Sequence, residues 1–227
     1  MIRSVLLTTT IAIGLAAPAV AEPVFDRFGA LPQTEFGGDG IPNDRVAVTN
    51  INVGQVSGEI GLTATPRFSA PLPTLVEDGV FGVAPGADSN GRSFWNFSFY
   101  ADILPGLDYT LLYDFDPSNG TDYGELSLEF FTPNDPTTIE GSQNATFEYL
   151  NDGAPLVAIP PSMFDFDADA NGIYNFRLQA RDLAGALIGE AAIDVIVGNG
   201  PTDVPAPAGF ALLGLGIIGL AAARRRR

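Results

Sequence analysis

Apolar side chains recur at every second position through much of the chain, and a period of two belongs to strands. Trp95, Phe97 and Phe99 alternate with Asn96, Ser98 and Tyr100. Leu111, Tyr113 and Phe115 alternate across Leu112 and Asp114, and Leu126, Leu128 and Phe130 across Ser127 and Glu129. Tyr174, Phe176, Leu178 and Ala180 form one long run; Ala191, Ile193, Val195 and Val197 form another. Shorter runs occupy residues 46–48, 51–53, 60–63 and 147–150. No sustained 3.6-residue pattern occurs outside the two ends. Turn formers separate the runs: Pro117-Ser118-Asn119-Gly120, Asn134-Asp135-Pro136, Asn151-Asp152-Gly153 and Asn171-Gly172. Strands with one apolar and one polar face belong to antiparallel sheets, and seven to ten of them imply two sheets face to face. The pattern therefore predicts an all-β chain, an antiparallel β-sandwich of Ig-like or jelly-roll style. Its best-defined hairpin spans residues 173–197 around Ala184-Gly185. Residues 22–45 and 64–92, rich in Pro and Gly, are expected to be long loops or irregular edges. A boundary near 85–92 competes with a single domain over 22–203; few strands precede it, which favours the single domain.

The two ends read as addresses. Arg3, the apolar residues 5–15 and the A-x-A site Ala19-Val20-Ala21 have the build of a secretory signal peptide over 1–21, cut after Ala21 by signal peptidase. Pro18 and its small neighbours keep the apolar run short of a membrane span. At the other end, residues 204–227 comprise a rigid small-residue motif, Val204-Pro205-Ala206-Pro207-Ala208-Gly209, an apolar stretch over 210–223, and Arg224 to Arg227. As a helix the stretch would rise about 21 Å, short of a hydrocarbon core of about 30 Å unless the preceding small residues extend it. The Arg cluster would stay cytoplasmic and leave the body outside. An ordinary anchor that remains in place is the alternative to a processed signal.

That order of parts resembles the C-terminal sorting signals of the PEP-CTERM class, nearest to the VPLPA-CTERM form of alphaproteobacteria. Ala206 stands where that form carries Leu, and no Glu lies between the prolines. The resemblance implies recognition by an exosortase-type membrane enzyme, removal of the tail, and release or transfer to the cell surface, in systems that accompany exopolysaccharide production. The body resembles, more loosely, a recurring exported PEP-CTERM protein type without an assigned activity. The matching stretches are residues 36–44, 61–67, 95–100 and 165–174, and they carry no catalytic residue across.

Composition narrows the chemistry. The 227 residues contain no His, no Cys and no Lys, which excludes Ser-His, Cys-His and Ser-Lys catalysis, Cys/His zinc sites and disulfides. A net charge of −16 argues against nucleic acid as a partner. Without residues 1–21 and 204–227, the body keeps 27 acids and six Arg. Such a surface suits a salty medium and invites divalent cations.

Asp165, Asp167, Asp169 and Asn171 place oxygen side chains at alternate positions, as Ca²⁺ requires. Ala170 and Phe176 stand where an EF-hand loop has its Gly and Glu, so the alternative is a solvated acidic turn, with Asp114 or Asp116 as distant ligands if calcium does bind. Trp95, Phe97 and Phe99 are expected in the core, with Tyr100 and Tyr123 exposed and able to stack on sugars. The resulting expectation is an exported, surface-sorted, non-enzymatic protein of the envelope or biofilm matrix, adhesive or scaffolding. A carbohydrate-binding module for exopolysaccharide is the alternative, and a carboxylate-based glycosidase comes third.

Overall fold

The computed structural model describes residues 22–131, 137–154 and 157–200, which belong to one compact unit. Twelve strands build it: β1 (Arg27–Gly29), β2 (Val46–Val53), β3 (Val56–Pro66), β4 (Thr74–Glu77), β5 (Val80–Val83), β6 (Trp95–Asp102), β7 (Leu107–Asp114), β8 (Tyr123–Ser127), β9 (Thr138–Gln143), β10 (Ala158–Ile159), β11 (Gly172–Asp182) and β12 (Leu187–Val197). They form two packed sheets, β1-β2-β3-β6-β9 and β10-β8-β7-β11-β12-β5-β4. The architecture is the expected β-sandwich, with one departure. Among the described residues all strand pairings are antiparallel except β5 with β12, which run parallel from Val80↔Asp194 to Val83↔Val197. The second sheet is therefore mixed.

The alternating residues fill the space between the sheets. Phe97 of β6 stacks on Phe176 of β11 with ring centroids 4.8 Å apart, and Trp95 meets Phe176 edge-on at 5.7 Å. At the far end of the interface Gly189 lies against Ile51, and Thr49 Oγ1 donates to the Glu190 carbonyl at 2.7 Å. The 173–197 hairpin is present in full register, with an irregularity at Ala180/Arg181.

Several elements differ from the sequence pattern. The run ending in Phe130 stops as a strand at Ser127; Leu128–Phe131 winds into a 3₁₀ turn that buries Leu128 and leaves Phe130 exposed. Residues 147–150 do not extend: Glu148–Asn151 forms one helical turn, with the Asn151 amide donating to the Ala145 and Phe147 carbonyls. The 22–45 and 64–92 segments contribute β1, β4 and β5.

Residues 30–44 also do more than connect. They fold over the outer face of the five-stranded sheet, where Leu31, Phe36, Val46, Val48 and Tyr100 form a second apolar cluster. Tyr100 is therefore buried rather than exposed, at 3% accessibility, and its hydroxyl donates to Asp102 at 2.6 Å. Gly61 makes room for this cover, since a Cβ there would come within 2.7 Å of Leu31.

Candidate functional site

The acidic loop after residue 164 is organised by its one aromatic side chain. Phe166 is buried against Trp95, Phe115 and Tyr174, while Asp165, Asp167, Asp169 and Asn171 around it are exposed. Asp167 Oδ1 accepts the Asp169 amide at 2.9 Å, and the Ala170 amide reaches the Asp167 carbonyl at 3.1 Å, a local Asx-type turn. Asn171 turns toward Gly198. Among the described residues no group of three or more acids gathers as a metal shell, so the four candidate calcium ligands do not converge.

The neighbouring acids are spent on backbone. Asp114 Oδ1 accepts the Asp116 and Asp122 amides, and Asp116 Oδ1 accepts the Ser118 amide. Burial raises the Asp114 carboxyl to about 6 in spite of those two donors. Burial also pushes Asp122 upward, yet donors from Met163, Ser162 and Phe164 outweigh it and leave its pKa lowered. On the outer face of the seven-stranded sheet, Arg177 bridges Glu190 at 2.6 Å, the Tyr123 hydroxyl at 3.0 Å and Asn175 at 2.9 Å. Tyr123 thus holds its hydroxyl inside a network and donates it to Asn175; it is half-buried. Asp194, bonded to Asn175 Nδ2 at 2.6 Å, is raised by burial to about 6.

A groove of about 560 Å³ opens on the outer face of the five-stranded sheet. One wall is the Gly37-Gly38-Asp39-Gly40 loop with Ile41, the other is Pro66-Arg67-Phe68, and strand β9 with Phe131 closes the side. Beneath it runs a ladder of hydroxyls and amides across three strands, of which Asn96 and Ser142 line the groove. Thr65 and Ser98 share a hydrogen bond of 2.8 Å, Ser98 donates to Ser142 at 2.9 Å, and Asn96 Nδ2 donates to Ser142 at 3.0 Å. Asn96 is fixed from behind by the fully buried Asn144, whose Nδ2 donates to Asn96 Oδ1 at 2.8 Å and to the Ser93 and Trp95 carbonyls. Glu140 holds the cover in place: Oε2 accepts Thr34 Oγ1 at 2.6 Å and the Glu35 and Phe36 amides at 3.0 Å.

Two aromatic side chains in these walls sit on unfavourable backbone. Among the described residues Phe36 and Phe68 are the non-glycine residues with positive φ, at 50° and 48°, and both line the groove. For bulky side chains that conformation is an outlier that the surrounding structure must hold in place, and such strain gathers at functional sites. Phe36 is buried, whereas Phe68 is 85% exposed with the Arg67 guanidinium 4.7 Å above its ring.

Tyr100 and Tyr123, the expected sugar platform, are thus both engaged elsewhere, and the sequence pattern overlooked Arg67, Phe68, Asn96, Glu140 and Ser142. The Gly-rich run 36–44 and the segments 61–67 and 95–100 were the available signal, since all three contribute to this groove.

Among the described residues no helix is long and apolar enough to cross a membrane. The signal segment with Ala19 and Ala21, and the motif Val204, Pro205, Pro207, Ala208 and Gly209 with its apolar stretch, lie outside the described residues. For the latter a direct comparison exists: the family model of the PEP-CTERM protein-sorting motif matches residues 203–227. No curated protein matches the chain. The class is thereby defined as an exported, largely β-stranded protein carrying a PEP-CTERM sorting signal. The signal directs it to the cell surface and makes it a substrate of an exosortase-type enzyme.

Proposed function

We propose that this surface-sorted protein is a non-enzymatic glycan-binding module, holding a neutral matrix polysaccharide and so serving adhesion or scaffolding in the envelope or biofilm. The observation that carries the proposal is the exposed Phe68, held on strained backbone in the wall of a groove that Asn96 and Ser142 also line. Sugar rings present apolar faces to aromatic rings and hydroxyls to amides and hydroxyls. An exposed Phe68 beside Asn96, Ser142 and Gln143 supplies both kinds of contact. The volume lies within the range of about 300–1,000 Å³ usual for ligand sites. Asp39 and Glu140 among the lining residues disfavour an anionic polymer. The two acids with pKa raised to about 6, Asp114 and Asp194, serve buried networks outside the groove, which supports binding over glycoside hydrolysis. Before processing, the C-terminal segment would hold the chain at the membrane.

The test is affinity electrophoresis of the full chain through gels containing neutral exopolysaccharides. Retardation by one of them, lost in Phe68→Ala and weakened in Asn96→Ala with the unfolding midpoint of Phe68→Ala unchanged, is expected. Absence of retardation by any neutral glycan, or retardation indifferent to both substitutions, would overturn the proposal.

A further inference from the structure

Three connections meet at one end of the sandwich, and two of them, the β6–β7 connection and the β11–β12 tip, have no polar side chain. They are the two-residue turn Gly54-Gln55 between Val53 and Val56, the β6–β7 connection Ile103-Leu104-Pro105-Gly106, and the tip of the β11–β12 hairpin. Strand register places them together: Leu107 pairs with Asp182, Gly58 lies against Asp102 and Leu104, and Gly189 lies against Ile51. The hairpin tip is Leu183-Ala184-Gly185-Ala186-Leu187-Ile188, six consecutive exposed residues without a polar side chain. Leu183 is 77% exposed, Leu187 48% and the neighbouring Val56 49%. A run of this kind has no place on a soluble surface unless it has a function.

Much of the tip's backbone is hydrogen-bonded within the turn. The Ala184 and Ala186 amides both donate to Asp182 Oδ1, at 2.9 and 2.8 Å, and the Gly185 amide donates to the Asp182 carbonyl at 2.8 Å. The Gly185 carbonyl accepts Arg181 Nη1 at 2.9 Å, and the Ala186 carbonyl accepts the Asp182 amide at 2.9 Å. Polar backbone that is satisfied internally is the condition for entering a lipid interface without a desolvation penalty. The acid of this segment, Asp182, is turned into the turn that it closes.

We infer that this end of the sandwich inserts shallowly into a neutral lipid surface, with the 183–188 tip as its leading element and Val56 and Pro105 beside it. Charge decides the occupant. Every copy carries a net charge of −16, which keeps like chains apart and disfavours a second copy on the tip. A net charge of −16 repels anionic headgroups, which leaves a zwitterionic surface. None of these residues lines the glycan groove, so the two sites are separate.

The experiment places a reporter at the tip of the full chain. Leu187→Trp is mixed with vesicles of brominated phosphatidylcholine, and a second variant, Ser118→Trp, reports from the opposite end. The native Trp95 is buried and supplies a constant background. Bromolipid quenching of the Leu187→Trp signal, absent for Ser118→Trp and reduced by adding Leu183→Ser and Ile188→Ser, is expected; quenching should be weaker in brominated phosphatidylglycerol at low salt. Lack of quenching in phosphatidylcholine would overturn the inference, and so would stronger quenching in phosphatidylglycerol. A concentration-dependent blue shift of the tip Trp without lipid would overturn it too, by showing a second copy on the tip.

Discussion

Asn144 shows how much one buried amide can fix. Its Oδ1 accepts the Ser93 amide at 3.1 Å and Thr146 Oγ1 at 2.7 Å, while its Nδ2 serves three acceptors around β6. The triplet Asn144-Ala145-Thr146 matches a glycosylation acceptor as a pattern, yet this side chain is fully enclosed. Removing it orphans buried donors and acceptors, each costly in a site closed to water. Asn144→Ala is expected to lower stability by about 3 kcal/mol in urea unfolding, and to loosen Asn96 at the groove floor. At this scale the sequence was readable where a residue's role is burial: Trp95, Phe97, Phe99, Tyr113, Tyr174 and Phe176 all fill the core as their alternation required. It was not readable for Tyr100, because the cover over its face comes from a segment with no period of its own.

Among elements, the long strands were legible because each has one face on the core and one turned outward, so that burial and period coincide. The short ones were not. β4 and β5 have four residues each, too few to display a period, and β5 pairs in parallel with a strand more than a hundred positions away. Glu148–Asn151 turned helical where a strand was expected; Leu150 is its fully buried residue, and Tyr149 packs against the core part-buried. Gly61, in mid-strand, was the residue that could have revealed the overlying segment, since an isolated glycine in a strand marks close approach of another part of the chain. The groove escaped for a related reason: its walls are loops, whose polar and glycine residues carry no periodic signal.

The segment 160–164 depends on a single acid. Asp122 accepts Ser162 N and Oγ and the Met163 and Phe164 amides, at 2.6 to 3.2 Å. Asp122→Ala should destabilise the protein by about 2 kcal/mol and make this segment an early site of limited proteolysis, read by mass spectrometry of the first fragments.

For the whole molecule, charge and burial set an acid-shifted stability. Asp114 and Asp194 have folded-state values raised from 3.8 to about 6. Between those values the folded protein binds more protons than the unfolded chain, so stability rises as pH falls toward 4, and above about 6 the two buried carboxylates are a standing cost. Asp26, held down by the Asn50 amide, Asp88, held down by the Arg92 amide, and Asp122 act in the opposite sense: their contribution is present above 3.8 and is lost as pH falls through their lowered values. Partial neutralisation of a chain with net charge −16 also relieves self-repulsion. The midpoint of thermal unfolding is therefore expected to be higher at about pH 5 than at about pH 8, and to fall again in stronger acid. Differential scanning calorimetry across that range checks the sign, and Asp194→Asn should flatten the rise between the two.

The parallel pairing of β5 with β12 also fixes when the molecule can become itself. Synthesis delivers β12 last among the described strands, yet it lies between β11 and β5 and also bridges Val24 near the start of the body. Until residues 187–197 have emerged, β11 and β5 present open edges, and Phe81 and Ile51 lack the partners that cover them. Only a few residues separate Val197 from the matched sorting segment at 203. Completion of the fold and presentation of the sorting signal are thus nearly the same moment in the life of the chain, so that a polypeptide interrupted on its way out can neither close its sheets nor be sorted.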